Sequence, residues 1–237
     1  MNVPPDVFVL AGGFGTRLKS AVSDVPKPMA PIGDRPFLEY LLDYWIRQGT
    51  GGIVLSVGYL AECVKSHFGN GYRGVPVSYC EEREPLGTGG ALVLALAAGI
   101  LKAPSFVMLN GDTLFEASLA DAKRDAGRFP IAMTVKPVPG NARYGGVDFD
   151  ADGRVTAFNA AGDGRGPGYI NAGCYLMDRA AVAREIAGYS GKFSFESVFL
   201  PKMAEKGLLG ASAQDRPFID IGVPEDYHYF CENRRGR

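Results

Sequence analysis

A glycine-rich loop, an arginine and a lysine near the start of the chain have the composition of a triphosphate cradle. The loop is Ala11-Gly12-Gly13-Phe14-Gly15-Thr16-Arg17, directly after the apolar run Val7-Phe8-Val9-Leu10. Three glycines without Cβ atoms let backbone N–H groups close around phosphate oxygens. Arg17 adds a forked, bidentate cation. Lys27 follows between Pro26 and Pro28, and the two prolines predict an extended segment that restricts where its ammonium can reach.

Better-known phosphate loops do not fit. No Gly-Lys-Ser or Gly-Lys-Thr occurs, so the P-loop pattern is absent. A dinucleotide fingerprint starting at Gly13 and Gly15 would need a third glycine where Leu18 stands. The kinase tripeptides His-Arg-Asp and Asp-Phe-Gly are missing as well.

Gly12 to Leu18 with Lys27-Pro28 resembles the signature of the sugar-1-phosphate nucleotidylyltransferases. Four further segments are similar to that family, in its order: Pro85-Leu86-Gly87-Thr88-Gly89-Gly90-Ala91, Leu109-Asn110-Gly111-Asp112, Asn171-Ala172-Gly173-Cys174-Tyr175 and Phe218-Ile219-Asp220-Ile221-Gly222. Ser23 to Pro31, Pro36 to Leu42 and Glu84 to Gly90 are similar to its D-glycero-α-D-manno-heptose 1-phosphate guanylyltransferase branch in particular, with the mannose-1-phosphate guanylyltransferases much alike. The resemblance implies one nucleotidyltransferase domain over 1–237, with a nucleotide-binding half to about residue 128 and a sugar-phosphate-binding half beyond it. It also implies GTP and a sugar 1-phosphate as substrates, Mg²⁺ as cofactor, and a GDP-heptose product for surface polysaccharide. On this basis nucleotide contacts are expected from Leu10, Ala11, Gly12, Gly13, Gly15, Thr16, Arg17, Lys27, Glu84, Gly87, Thr88 and Gly111. Glu84 and Gly87 would help seat base and ribose. Sugar-phosphate contacts are expected from Tyr144, Gly145, Asn159 and Asn171.

Asp112 follows the strand Val107-Met108-Leu109, and open parallel sheets place ligand groups beyond the carboxyl ends of their strands. Asp220 stands between Ile219 and Ile221, where a carboxylate is costly unless it is paired or on a metal. Two carboxylates plus phosphate oxygens suit Mg²⁺. The expected catalytic set is therefore Arg17, Lys27 and Asp112, with Asp112 and Asp220 on the metal. A sugar 1-phosphate oxygen is already an anionic nucleophile, so no general base is called for. Positioning and charge neutralisation are what the protein must supply.

One departure from the family pattern stands out. Relatives read Phe-x-Glu-Lys where this chain has Phe158-Asn159-Ala160-Ala161, which removes the lysine expected on the sugar phosphate. Arg165, in a glycine-flanked stretch, is the first candidate to replace it, followed by Arg143 and Lys136.

These groups need a frame. Apolar runs at Ile53 to Val57, Val75 to Cys80 and Phe106 to Leu109 read as strands. Phe37 to Gln48, Leu60 to Phe68 and Thr88 to Leu101 read as helices, with Asp34 as a cap and Gly49 and Gly69 as stops. The alternation predicts an α/β fold, a Rossmann-like doubly wound and mostly parallel sheet. Ile131 to Val135, Gly146 to Phe149 and Val155 to Phe158 alternate around a turn at Asp152-Gly153, and predict a small antiparallel insertion. Gly162 to Gly168 reads as a mobile loop.

Composition agrees. With 237 residues and 46% hydrophobic content, the chain can bury a full core. A formal net charge of -1 and scattered basic residues give no field for nucleic acid or an anionic membrane. Cys63, Cys80, Cys174 and Cys231 show no C-x-x-C spacing and read as thiols of a reducing cytoplasm. The start lacks a signal-peptide pattern, and no stretch is long enough to span a bilayer. His67 and His228 read as surface or packing residues, Tyr40, Tyr44 and Trp45 as core. Tyr227, Tyr229 and Phe230 would pack the last helix or join a homodimer contact. Two rival classes are weighed: a silent sugar-nucleotide sensor on the same fold, and a nicotinamide-dependent oxidoreductase. Intact Arg17, Lys27, Asp112 and Asp220 oppose the first; Leu18 opposes the second.

Overall fold

Eight strands of the computed structural model, which describes residues 3–13, 24–140, 144–159 and 166–234, form one twisted sheet. Along the chain the strands are β1 (Asp6–Leu10), β2 (Pro31–Ile32), β3 (Arg35–Pro36), β4 (Gly52–Val57), β5 (Gly71–Tyr72), β6 (Val75–Glu81) and β7 (Ser105–Asn110). They continue as β8 (Thr113–Phe115), β9 (Ile131–Val138), β10 (Val147–Phe149), β11 (Val155–Phe158), β12 (Gly168–Asp178), β13 (Leu209–Ala213) and β14 (Phe218–Asp220). The helices are α1 (Phe37–Arg47), α2 (Ala61–Phe68), α3 (Gly87–Ala97), α4 (Leu119–Ala126), α5 (Arg179–Ile186), α6 (Leu200–Glu205) and α7 (Pro224–Arg234). The main sheet runs β13-β9-β12-β7-β1-β4-β6-β5. Strand β1 is parallel to both β4 and β7, β4 to β6, and β13 to β9, while β12 runs antiparallel to β7 and β9.

Both faces of the sheet are covered, as a doubly wound fold requires. Val7 and Val9 of β1 enter one core with Phe37, Leu41 and Trp45 of α1 and Phe230 of α7. Phe8, between them, points to the opposite core with Leu92 of α3, Phe106 and Tyr175. Strand alternation within β1 therefore holds the two layers in register. At its other end, buried Asp6 accepts the backbone N–H groups of Lys102 and Ala103 at 2.6 and 2.8 Å, which ties the entrance of β7 to β1.

Several expectations are corrected. Ile131–Val138 is no part of a small insertion. It lies within the main sheet between β12 and β13, and its first five residues are buried without alternation because both faces are covered. The antiparallel unit is the separate pair β10-β11, joined through Gly153 at φ +82°. Asp34 does not cap α1: Pro36 holds that position with no side-chain bond, and Asp34 belongs to the β2-β3 turn with Gly33 at φ +66°. Helix α3 stops at Ala97, before the left-handed Gly99. Lys27 is not extended. Pro26 is, but Lys27–Met29 forms one 3-10 turn, which accepts Pro28 because an early helical position needs no N–H from it.

Tyr227 donates to the Pro31 carbonyl at 2.7 Å, and Phe230 meets Phe37 edge-on at 5.6 Å, so α7 is packed onto the body, whereas Tyr229 is exposed. His67 Nε2 lies 2.7 Å from Glu39, away from the strand ends described below. All four cysteines are free; burial pushes the Cys80 thiol up to about 11 and that of Cys174 up to about 12. Among the described residues no helix is long and apolar enough to cross a membrane. The Gly162 to Gly168 stretch lies largely outside the described residues.

Candidate active site

The carboxyl ends of β1 and β7 lie side by side, with Leu10 opposite Asn110. The chain then turns at Gly111, whose N–H donates to the Leu10 carbonyl at 3.1 Å. A Cβ on Gly111 would stand 2.4 Å from that carbonyl oxygen, so only glycine allows this approach. The turn delivers Asp112 just beyond the sheet edge. Residues 113–115 pair antiparallel with β14, setting Asp220 opposite Thr113, and the Ile221 N–H donates to the Asp112 carbonyl at 2.9 Å. Two carboxylates far apart in sequence are thus placed together by a three-residue ladder.

Lys27 joins them. Its ammonium donates to Asp112 Oδ2 at 2.5 Å, with 9% of the lysine side chain exposed. Asp220 Oδ1 accepts the Gly222 N–H at 2.6 Å. A Cβ on Gly222 would meet Asp220 Oδ1 at 2.5 Å and Lys27 Nζ at 2.9 Å, so the glycine leaves lysine and second aspartate facing each other across it. The Tyr144 hydroxyl reaches Asp220 Oδ2 at 3.4 Å. Asp112 lines the cavity and Asp220 lies next to Lys27, and hard carboxylate oxygens of this kind suit a divalent cation that completes its shell with phosphate oxygens and water. Among the described residues no cluster of three or more His, Cys, Asp or Glu side chains forms a protein-only cage.

A cavity of about 390 Å³ opens over these strand ends. Gly12 and Gly13 line it from the first loop, Gly87 and Thr88 from the start of α3, and Lys27, Gly111 and Asp112 from the carboxylate end. Gly12 is pressed against the loop after β4: a Cβ there would meet Glu82 Oε1 at 2.7 Å and Gly58 N at 3.3 Å. Among the described residues no atom lies within 4 Å of a would-be Cβ on Gly13. Ala11 is buried and bonds to the Ser56 carbonyl at 2.9 Å, which anchors the loop to β4. The first turn of α3 brings a helix N-terminus to the cavity, a favourable setting for anions.

Not every expected residue arrives there. Gly15, Thr16, Arg17, Arg143 and Arg165 lie outside the described residues. Glu84 is exposed and outside the cavity lining; Glu82 enters instead, accepting from Ser56 at 2.8 Å and from the Leu86 N–H at 3.0 Å. Asn171 spends both ends of its amide on its own strand, donating to Tyr175 at 2.7 Å and accepting from Gly173 at 2.9 Å. Asn159 pairs with Gly146 through the backbone and donates its amide to Asp148 at 3.0 Å, with Gly145 packed against its carbonyl. Lys136 is outside the cavity lining and pairs instead with Asp215 at 2.9 Å and the Arg216 carbonyl at 3.0 Å.

Lys192 and Glu196 line the cavity without having been anticipated. Glu196 accepts from the Thr88 hydroxyl at 2.5 Å, and the same hydroxyl accepts the Phe195 N–H at 2.8 Å. No local motif marks either residue; only the left-handed Gly191 just ahead of Lys192 hints at a shaped turn.

The family profile described as Nucleotidyl transferase matches residues 7–234. A D-glycero-alpha-D-manno-heptose 1-phosphate guanylyltransferase of Aneurinibacillus thermoaerophilus is 40% identical over 224 residues, covering 94% of this chain and 95% of its own. One of Campylobacter jejuni is 40% identical over 226 residues, covering 95% and 98%. The crystal structure of HddC from Yersinia pseudotuberculosis is 38% identical and superposes with a TM-score of 0.84 over 97% of this chain and 99% of that one. A second structure of HddC is complexed with GMP-PN. With a profile that spans nearly its whole length and relatives matched end to end, this chain belongs to the nucleotidyl transferase family, the one its loop motifs resemble.

Proposed function

We propose that the chain transfers GMP from GTP to D-glycero-α-D-manno-heptose 1-phosphate, releasing pyrophosphate and forming a GDP-heptose for surface polysaccharide. The observation that carries this is the meeting of Lys27, Asp112 and Asp220 at the strand ends, under a cavity walled by Gly12 and Gly13 and by the glycine-rich start of α3. The activity named for the full-length relatives supports the choice of base and sugar.

An oxygen of the sugar 1-phosphate attacks the α-phosphorus of GTP in line. A new P–O bond forms, the bridging α–β P–O bond breaks, and pyrophosphate leaves with that bond's electrons. The obstacle is electrostatic, since an anion must approach a polyanion and negative charge grows on the leaving group. Lys27 meets the α-phosphate, while the amides of Gly12 and Gly13, with Arg17, take the β- and γ-phosphates. Glu82, Pro85 and Gly87, which line the cavity, are assigned to base and ribose. Asp112 and Asp220 would hold a divalent cation such as Mg²⁺, which when bound supplies positive charge to the phosphate oxygens. Residues up to about 128 chiefly serve the nucleotide and the remainder chiefly the acceptor. The assigned setting is the cytoplasm, where GTP and sugar phosphates are both present.

The test is pyrophosphate release with GTP, ATP, UTP, CTP or dTTP against heptose, mannose and glucose 1-phosphates. GTP with the heptose 1-phosphate is expected to give the highest kcat/KM. A higher value for mannose 1-phosphate would move the sugar assignment, and one for a non-guanine triphosphate would overturn the base.

A further inference from the structure

The acceptor's phosphate needs a cation, and among the described residues lining the cavity there are two, Lys27 and Lys192. Lys27 pairs with Asp112 at 2.5 Å and is assigned to the α-phosphate of GTP. Lys192 has no hydrogen bond or ion pair with any side chain or backbone group of the described residues. Ala160 and Ala161 bring no charge, and Lys136 is held by Asp215.

The backbone that carries Lys192 is anchored on both sides. Ahead of it, Gly191 turns at φ +67°, and its carbonyl oxygen lies 2.6 Å from where a Cβ on Gly90 would stand. Behind it, the Phe193 N–H donates to the Leu86 carbonyl at 3.0 Å, and the Phe193 carbonyl accepts the Gly89 N–H at 3.1 Å. The Phe193 ring fills the space over Gly89, where a Cβ would meet it at 2.1 Å. The glycines opening α3 are therefore absent of side chains partly to seat this segment, which strings an unpaired ammonium beside a helix N-terminus. That is a preorganised place for an anion.

We propose that Lys192 is the cation that grips the phosphate of the sugar 1-phosphate in this chain, an assignment that rests on the nucleotidyl transfer proposed above. It supplies a positive charge that Ala160 and Ala161 do not bring. The contact is charge-assisted, and its loss weakens acceptor binding without touching the hold on the triphosphate.

The experiment compares Lys192→Met, Lys192→Arg and, as a control, Lys136→Ala, reading KM for each substrate, kcat and the unfolding midpoint. Lys192→Met is expected to raise KM for the sugar 1-phosphate by about ten- to a hundredfold while leaving that for GTP within about twofold. Lys192→Arg is expected to recover most of the loss and Lys136→Ala to match wild type, all with unchanged midpoints. An unchanged sugar-phosphate KM in Lys192→Met, or an equal rise in both KM values, would overturn the assignment. The acceptor used is whichever sugar 1-phosphate the wild type turns over fastest. If that is not the heptose, the sugar assignment fails while Lys192 is still tested. If no acceptor turns over, both fail.

Discussion

Gly111→Ala offers a sharp check on the strand-end geometry. The new Cβ would lie 2.4 Å from the Leu10 carbonyl oxygen, 3.1 Å from the Leu10 carbonyl carbon and 3.1 Å from Pro28 Cγ. Non-bonded contacts of this kind want about 3.5 Å, so relief requires a shift of about 1 Å. Leu10 cannot yield freely, because its strand is in register with both β4 and β7. The residues after Gly111 must move instead, and the 3.1 Å bond from its N–H to Leu10 is lost. Overpacking and the lost bond together cost about 2–4 kcal/mol. Asp112 moves with the turn, and a displacement of about 1 Å at a positioned group lowers the rate by about a hundredfold. The assay is urea unfolding for the first quantity and kcat of the folded fraction for the second, against Gly188→Ala, where a Cβ meets nothing within 4 Å. If Gly111→Ala matched Gly188→Ala in both, the close approach of β1 and β7 would not be what aims Asp112.

Three further outcomes are expected. Asp112→Asn and Asp220→Asn each lower kcat by about 10²–10³ or more while the fold is retained; turnover within a few fold of wild type in either would remove that residue from the phosphate site. Lys27→Met lowers kcat by about 10²–10³ and, unlike a surface lysine, also destabilises the protein by leaving Asp112 unpaired; the double variant with Asp112→Asn should regain stability but not activity, as unfolding and turnover measured together would show. Glu39→Gln tests the Arg35 network. Burial pushes the Glu39 carboxyl up, but hydrogen bonds from Arg35 and His67 outweigh it, and the net value is lowered. A lowered folded value means stability that is present above the unfolded carboxylate range, about 4.5, and is lost as pH falls through the folded value. The stability gap between wild type and Glu39→Gln should therefore be full at neutral pH and shrink below about 4.5; a gap independent of pH would contradict this.

Much of the frame could be read from local signals. The apolar runs of β1, β4 and β7 and the glycines after α1 and α2 mark their elements because each residue's role depends on near neighbours. The position of Asp112 was legible for the same reason, as it follows an apolar strand at a turn. The place of strand β9 was not, because an alternating reading of Ile131 to Val135 cannot reveal that β12 and β13 flank it and that Ile131 to Val135 is buried on both faces. Lys27 misled in another way: two prolines suggest extension, yet the second sits where a 3-10 turn accepts it. Its ion pair with Asp112 depends on two segments that only the fold joins. Glu82 and Glu84 share one charged run, and which of them faces the cavity is set by the bond from the Leu86 N–H. Lys192 had no motif at all, since its placement comes from Phe193 bonding back to Leu86 and Gly89 in the other half of the chain.

The most direct measurement of the central claim follows the phosphorus atoms of GTP. The protein, Mg²⁺, D-glycero-α-D-manno-heptose 1-phosphate and GTP labelled at either the α- or the γ-phosphate are incubated, and the products are separated. Attack at the α-phosphorus predicts that α-label appears in the GDP-heptose and γ-label in intact pyrophosphate, in equal molar amounts. Label from the γ-position in the sugar product, release as orthophosphate, or no α-label in a sugar nucleotide would contradict it.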